Sequence, residues 1–133
     1  MSGLVLKLAP NERILINGVV LENGDRRARI SVKTPHANIL RLRDAIHPDD
    51  AVTPVSRICY EAQLILSGDR AVDDGRKILL RGIEQLTQVF EDRDSRHLLG
   101  DATEGVVENN FYRALRALRD LLPREARLLA AST

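Results

Sequence analysis

The stretch ILINGVVLENGDRRARISVKTPHANILRLRDAI, residues 14–46, decides the fold of this chain. Its short runs of Val, Ile and Leu are interrupted at Asn17-Gly18 and again at Asn23-Gly24-Asp25. Asn-Gly is the dipeptide that most readily adopts the positive φ angles of a tight hairpin turn. The pattern therefore predicts two β-hairpins in tandem.

The same stretch alternates between apolar and cationic residues. In Arg29–Lys33 the apolar side chains share one face of a strand, and the charged and polar ones share the other. Pro35 cannot donate to a strand ladder and marks a break or an edge, after which Ile39–Arg43 resumes the alternation. We expect Arg41 and Arg43 to point the same way, so that one face of the sheet is apolar and the other cationic.

The strand pattern reaches back to the beginning of the chain, where leucines alternate with Val5 and Lys7. Connections this short cannot make the crossover that a parallel pair requires, so the sheet is mostly antiparallel. So small an aliphatic sheet needs a partner: its own helices, a second copy of the chain, or both. The five predicted strands cover residues 4–8, 12–16, 19–22, 26–34 and 38–43.

The second half of the chain has helical spacing. The Pro- and Asp-rich step at Ile46–Asp50 separates a β module, residues 1–47, from a helical module, residues 48–133. Thr53 suits an N-cap, with Pro54 at the first helical position. We predict an α+β fold in which a five-stranded antiparallel sheet precedes a four-helix antiparallel bundle. The predicted helices run from Pro54 to about Leu66, then over 73–90, 94–108 (capped by Asp94 or Ser95) and 111–122; Pro123 interrupts, and a short tail helix covers 125–131.

Charge is divided unevenly between the two modules. Residues 1–47 carry eight Lys/Arg against four Asp/Glu, whereas residues 48–133 carry twelve against fifteen. A basic sheet suits a polyanion, and an acidic helical half suits a protein partner. The first aromatic residue is Tyr60, so the sheet half lacks platforms on which bases could stack, which argues against a base-stacking sheet of the RRM type.

Residue patterns that carry enzymatic chemistry are missing from the sequence. It contains no Gly-rich nucleotide-binding loop and no metal-ligand spacing among its three histidines. The acidic pairs Asp49-Asp50 and Asp73-Asp74 stand where carboxylates favour helix starts. The single cysteine, Cys59, is read as a buried core thiol, which indicates the cytosol. We therefore expect no enzyme, no cofactor, no metal and no membrane segment.

Six cations fall within eighteen residues of the predicted sheet. One interpretation is a solvated strand face that keeps the sheet edges from pairing with other chains. The other is contact with phosphates and base edges, because guanidinium groups are planar, always charged and bidentate. The residues concerned are Arg26, Arg27, Arg29, Lys33, Arg41 and Arg43.

Three segments carry a resemblance to a known family: ERILING at 12–18, RLRDAIHPD at 41–49 and LLPREARLL at 121–129. Over nearly its whole length the chain closely resembles the FlbT family of flagellin post-transcriptional regulators. The resemblance implies an RNA-binding repressor that associates with the 5′ untranslated region of flagellin mRNA, blocks its translation and promotes its decay. It also implies a companion flagellar regulator, FlaF, as a protein partner.

The β module alone is similar to the CsrA family of carbon-storage regulators, small dimeric five-strand proteins that bind mRNA leaders through their first and last strands. This likeness implies that Arg43 and Leu6 contact RNA and that the chain forms a homodimer. Two departures from the CsrA pattern weaken this likeness, one at the first strand and one before the last strand. Leu8-Ala9 stands where that family is basic, and one extra residue lies between Pro35 and Arg43.

These observations favour a non-enzymatic, cytoplasmic mRNA-binding protein with no cofactor. Arg43 and Arg41 are the first candidates for gripping phosphates and reading exposed bases, followed by Arg26, Arg27, Arg29 and Lys33, with Leu6 beside them. The alternative is a protein-interaction adaptor in flagellar assembly whose helices bind FlaF or flagellin and which affects mRNA only indirectly.

Overall fold

A computed structural model describes residues 4–35 and 37–131 of the chain. All five strands precede the five α-helices in the sequence, and this segregation confirms the α+β class. The strands are β1 (Leu4–Leu8), β2 (Arg13–Ile16), β3 (Val19–Glu22), β4 (Ala28–Val32) and β5 (Ile39–Arg41). The α-helices are α1 (Pro54–Ser67), α2 (Val72–Thr87), α3 (Arg93–Val107), α4 (Phe111–Arg119) and α5 (Leu122–Ala131), and 3-10 turns cover Leu42–Asp44 and Pro48–Asp50.

The first predicted hairpin is confirmed. Strands β2 and β3 pair antiparallel with Ile16 opposite Val19, and the two residues between them are Asn17, at φ 49°, and Gly18, at φ 82°. Two consecutive positive φ angles define the tight turn whose twist matches that of the flanking strands. The Asn-Gly dipeptide therefore forms the connection expected of it.

The second predicted hairpin is wrong. Strand β4 pairs with β1, with Leu6 opposite Ile30, and not with β3. Neither Asn23 nor Gly24 has a positive φ. Instead, the side-chain amide of Asn23 donates at 2.8 Å to the backbone carbonyls of Ala9 and Arg26. The segment between β3 and β4 therefore connects one sheet to the other. The five strands accordingly form a two-stranded sheet, β1–β4, and a three-stranded sheet in the order β3–β2–β5, rather than one sheet.

The three-stranded sheet lies between the other sheet and the helices. Ile14 and Ile39 face β1–β4 and enclose a small apolar core with Leu6 and Leu8. Leu40, on the opposite face of β5, belongs to the core of the helical half. Alternation along a strand explains this division, because neighbouring side chains point to opposite faces. Strand β5 ends at Arg41, and Arg43 lies in a 3-10 turn, so these two arginines do not continue one strand face as predicted.

The first helix begins and ends as the sequence predicts. The Thr53 hydroxyl caps the Ser56 N–H, the Ser56 hydroxyl reciprocates, and Pro54 stands at the first position. Gly68 ends the helix at φ 86°, a left-handed conformation that a residue without a Cβ adopts at little cost. Helix α3 is capped instead by Asp92, which accepts a hydrogen bond from the Ser95 N–H at 3.0 Å, and not by Asp94 or Ser95.

Five α-helices pack in the described part of the chain, and the last of them, predicted as a short tail over 125–131, begins three residues earlier. Helix α5 begins at Leu122, so Pro123 lies in its first turn, where the missing N–H costs no hydrogen bond. The buried carboxylate of Glu125 ties α5 to α1 by accepting hydrogen bonds from the Thr53 hydroxyl and, at 2.8 Å, from the Val55 N–H. Cys59 is fully buried in this core, as predicted, and desolvation raises the pKa of its thiol to about 12. Among the described helices, none has the length and apolar character needed to cross a membrane.

Candidate nucleic-acid interface

A buried ion pair joins the two sheets. The Arg41 guanidinium donates to the Glu12 carboxylate from Nε to Oε2 at 2.7 Å and from Nη2 to Oε1 at 2.8 Å. The carboxylate also accepts the Ala9 N–H at 2.9 Å, and Arg41 donates further to the Lys7 carbonyl. The hydrogen bond from Arg41 lowers the pKa of Glu12 to about 2, outweighing the opposite effect of burial, and it raises the pKa of Arg41.

The burial of Arg41 argues against its predicted contact with RNA. Only 5% of this residue is exposed, and its fork is already matched to a carboxylate in the bidentate geometry that a phosphate would need. Leu6 is also buried, at 2% exposure, in the core between the sheets. Both residues therefore belong mainly to the interior of the fold, and each exposes only a small part of its surface.

Arg43 remains accessible. Its side chain is 54% exposed, and its Nε lies 3.7 Å from Glu12 Oε2, a separation that gives attraction without a hydrogen bond. Two guanidinium groups thus share one carboxylate, which leaves a net positive charge at this point of the surface.

Arg43 opens onto a cleft of about 670 Å³ along β1, which we call the β1 cleft. One wall consists of residues 4–9, and the largely buried Arg41 also contributes to the lining. The exposed cations that line this cleft come from distant parts of the sequence: Lys7, Arg27, Arg43 and Arg116. The fold therefore brings four of the predicted site residues to one cleft, the exposed Arg27 and Arg43 and the buried Arg41 and Leu6. It adds two cations that the sequence reasoning did not select, Lys7 and Arg116.

The other predicted cations lie at different distances from the β1 cleft. Arg29 is opposite Lys7 in the β1–β4 register, so both project from the outer face of that sheet. Arg26 is exposed in the turn before β4. Lys33 follows the far end of β4, six residues beyond Arg27 and thus roughly 20 Å away along an extended chain. It lines a second cavity, which shares Leu4, Tyr112 and Arg116 with the β1 cleft, and it does not line the β1 cleft itself.

Few acids offset the charge of the sheet half. Of its four carboxylates, Glu12 binds Arg41, Glu22 binds Arg13 and Asp44 lies near Arg119. The fourth, Asp25, is exposed and is the neighbour of Arg26 in the sequence. Within residues 4–35 and 37–131, no ion pair engages five exposed cations: Lys7, Arg26, Arg27, Arg29 and Lys33. In contrast, Arg113 of α4 approaches three carboxylates, those of Asp101, Glu104 and Glu108. The net charge of +1 therefore hides a local excess of unneutralised cations on the two sheets.

Sequence reasoning missed the contribution of α4 to this surface. Tyr112 and Arg116 are one helical turn apart and so share a face of α4, a signal that the sequence does contain. Nothing in the sequence indicated that this face meets β1. Glu12 was read only as the first residue of a strand.

The described residues include no cluster of three or more His, Cys, Asp or Glu side chains that could hold a metal ion. The chemistry that the β1 cleft supports is instead the binding of an anion through guanidinium and ammonium groups.

Comparison with known proteins identifies the family of the chain. A family model described as flagellar protein FlbT matches residues 4–129. The chain belongs to the FlbT family. A relative from Mesorhizobium japonicum is 33% identical over 129 residues, covering 97% of this chain and 86% of the relative. One from Bradyrhizobium diazoefficiens is 32% identical over 127 residues, covering 94% and 84%. Both FlbT relatives are named as probable flagellum biosynthesis repressor proteins. No solved structure matches the chain.

Proposed function

We propose that this FlbT protein is a non-enzymatic regulator that represses flagellin synthesis by binding the 5′ untranslated region of flagellin mRNA in the β1 cleft. Relatives named as flagellum biosynthesis repressors support the regulatory part of this proposal. In the cytoplasm, RNA held in the cleft would be inaccessible to the ribosome, which blocks translation. Decay of the untranslated message would follow.

The β1 cleft is the observation that carries the RNA-binding part. It places four exposed cations around one concave surface, and Arg29 adds a fifth on the adjoining sheet face. Cations arranged in this way can each contact a phosphate of the RNA backbone. Each phosphate that a cation neutralises releases a counterion, so the affinity for RNA falls as the salt concentration rises. The alternative interpretation, a solvated strand face that protects the sheet edges, does not account for Arg116, because this residue lines the same cleft from helix α4.

The test is a filter-binding titration of a flagellin leader RNA at two salt concentrations. We expect the double variant Arg27→Gln/Arg43→Gln to bind more weakly and to lower the slope of log affinity against log salt by about 1.4, since each contact to single-stranded RNA contributes about 0.7. The matched control is Arg57→Gln/Arg81→Gln, which removes two exposed helical arginines with no ion pair in the described structure. An equal loss in the control, or binding without a salt slope, would contradict the proposal.

A second candidate function is the protein-interaction adaptor, and strand β3 favours it. Val19, Val20 and Leu21 are 58%, 59% and 43% exposed, and β3 pairs on one side only among the described strands. An aliphatic edge of this kind can accept a further strand from FlaF, from flagellin or from a second copy in a homodimer. Co-purification of FlaF or flagellin after nuclease treatment, abolished by Val20→Lys and accompanied by no enrichment of RNA, would establish the adaptor instead.

A further inference from the structure

The sheet half contains no aromatic residue, but the fold supplies one from α4. Tyr112 packs at the edge of the apolar core formed by Leu6, Leu8, Ile14 and Ile39. Its ring is only partly buried and lines the β1 cleft. An aromatic surface is therefore present among the cations of a site whose own strands lack one.

Arg116 lies over this ring. The guanidinium carbon is 5.8 Å from the ring centroid, within the range of a cation–π contact, and Nη1 donates to the Tyr112 hydroxyl at 3.3 Å. Arg116 is exposed, so its guanidinium can leave the ring without unfolding anything. A leucine would fill the edge of the apolar core equally well. A tyrosine adds a flat π surface that lines the cleft beneath the exposed Arg116 guanidinium.

We infer that the β1 cleft takes single-stranded RNA and that one unpaired base stacks on the Tyr112 ring, displacing the Arg116 guanidinium toward a neighbouring phosphate. This inference rests on the proposed function and specifies the form of RNA that is bound. Bases within a duplex are stacked on one another and cannot offer a face to a side chain, whereas single strands are commonly held by aromatic side chains within basic grooves. The guanidinium suits either position, because it stacks on planar groups and also grips phosphates.

The larger cavity on the other side of Tyr112 is less suited to RNA. It measures about 780 Å³ and extends between the end of β4 and helices α3 and α4. Its lining has three carboxylates, of Asp101, Glu108 and Asp120, and three cations, of Lys33, Arg113 and Arg116, so their charges cancel. The lining of the β1 cleft has cations and no carboxylate, and it therefore attracts a phosphate chain more strongly. The distribution of charge around the ring therefore places the base on the side of the β1 cleft.

The composition of the chain permits a direct test by fluorescence. It contains two tyrosines and no tryptophan, so in a Tyr60→Phe background Tyr112 is the sole fluorophore of interest. We would titrate this full-length protein with a single-stranded RNA of about 12 nucleotides, with an abasic strand of the same length and charge, and with a duplex. Stacking predicts strong quenching of Tyr112 by the single-stranded RNA and little by the abasic strand or the duplex.

Two substitutions at the same position separate stacking from packing. We expect Tyr112→Leu to weaken binding of the single-stranded RNA about 5- to 100-fold, the range for loss of one base–aromatic stack, and to leave binding of the abasic strand unchanged. Tyr112→Phe keeps the ring and should bind within about twofold of the parent. Thermal melting shows whether Tyr112→Leu is folded, and the quenching experiment decides the question if it is not.

The outcomes distinguish the two proposals. Equal affinity for the RNA and the abasic strand, with a salt slope but no quenching, overturns the stacking inference and leaves RNA binding in place. Equal quenching by the duplex overturns it too. Absence of binding to any of the three nucleic acids at low salt overturns the stacking inference and the proposed function together, and it leaves the adaptor.

Discussion

The sheet half and the helical half of this protein are held together differently. The helices enclose a continuous apolar core in which Leu79, Leu99 and Leu118 are almost completely buried. Between the two sheets, only four apolar side chains of residues 4–35 and 37–131 are buried, and an ion pair, Glu12–Arg41, lies beside them. From this difference we expect the stability of the half that carries the candidate site to depend strongly on the Glu12–Arg41 ion pair.

Breaking that ion pair is the sharpest way to test the comparison. Glu12→Gln removes the carboxylate and leaves the Arg41 guanidinium buried without a counter-charge, which should lower the free energy of unfolding by about 3–5 kcal/mol. Urea denaturation measures the change.

The control for this variant is Glu22→Gln. Glu22 also lies 2.7 Å from an arginine, Arg13, but both side chains are more than half exposed, and such surface pairs contribute about 1 kcal/mol or less. If the two variants lost the same stability, the sheet half would not depend on the buried pair.

Lowering the pH should gradually remove the stabilisation that the Glu12–Arg41 ion pair provides. The pKa of Glu12 is about 2 in the folded protein against an ordinary value of 4.5, so the unfolded chain takes up the proton first as the pH falls. The stabilisation from Glu12 is therefore fully present above about pH 4.5 and is lost as the pH falls toward 2. We expect the gap between wild type and Glu12→Gln to close over this interval in melting experiments. A gap that stays constant down to pH 2 would show that ionisation of Glu12 is not its source.

The stability of the helical half should be sensitive to added side-chain volume where two helices approach closely. At Gly105 an added Cβ would lie 2.9 Å from both the Ala114 nitrogen and the Asn110 oxygen, which are backbone atoms at the start of α4. Gly105→Ala should therefore lower the free energy of unfolding by about 1–3 kcal/mol, as overpacking does. The measurement is again urea denaturation.

A second glycine of α3 provides the matched comparison. A Cβ at Gly100 would meet nothing within 4 Å, so Gly100→Ala should raise the free energy of unfolding by up to about 1 kcal/mol through helix propensity alone. If the two substitutions had the same sign, the close approach of α3 and α4 would not be what limits Gly105.

Local signals in the sequence predicted several elements correctly. The Asn17-Gly18 turn, the Thr53 cap and the Gly68 terminus each depend on the conformation of residues close together in the chain. The FlbT resemblance could also be read directly from the sequence. The second Asn-Gly pair could not be interpreted in this way, because Asn23 bonds to the carbonyl of Ala9, which is fourteen residues away.

Arg41 shows why the candidate site could be predicted only in part. In the sequence it is one of six similar cations, and nothing local distinguishes it from Arg43. Its burial depends on Glu12, twenty-nine residues earlier. A carboxylate at that distance neutralises a guanidinium only after β5 has paired with β2.

By itself, the sequence determined the α+β class, the excess of positive charge in the first half and most of the helix ends, because periodicity, composition and caps are properties of neighbouring residues. Only the tertiary structure decided which cations face the solvent and which aromatic ring lies among them. Those outcomes depend on strands β1, β2 and β5 packing together and on Tyr112 of α4 packing against their core. Contacts between residues so far apart in the chain produce no local sequence pattern from which they could be predicted.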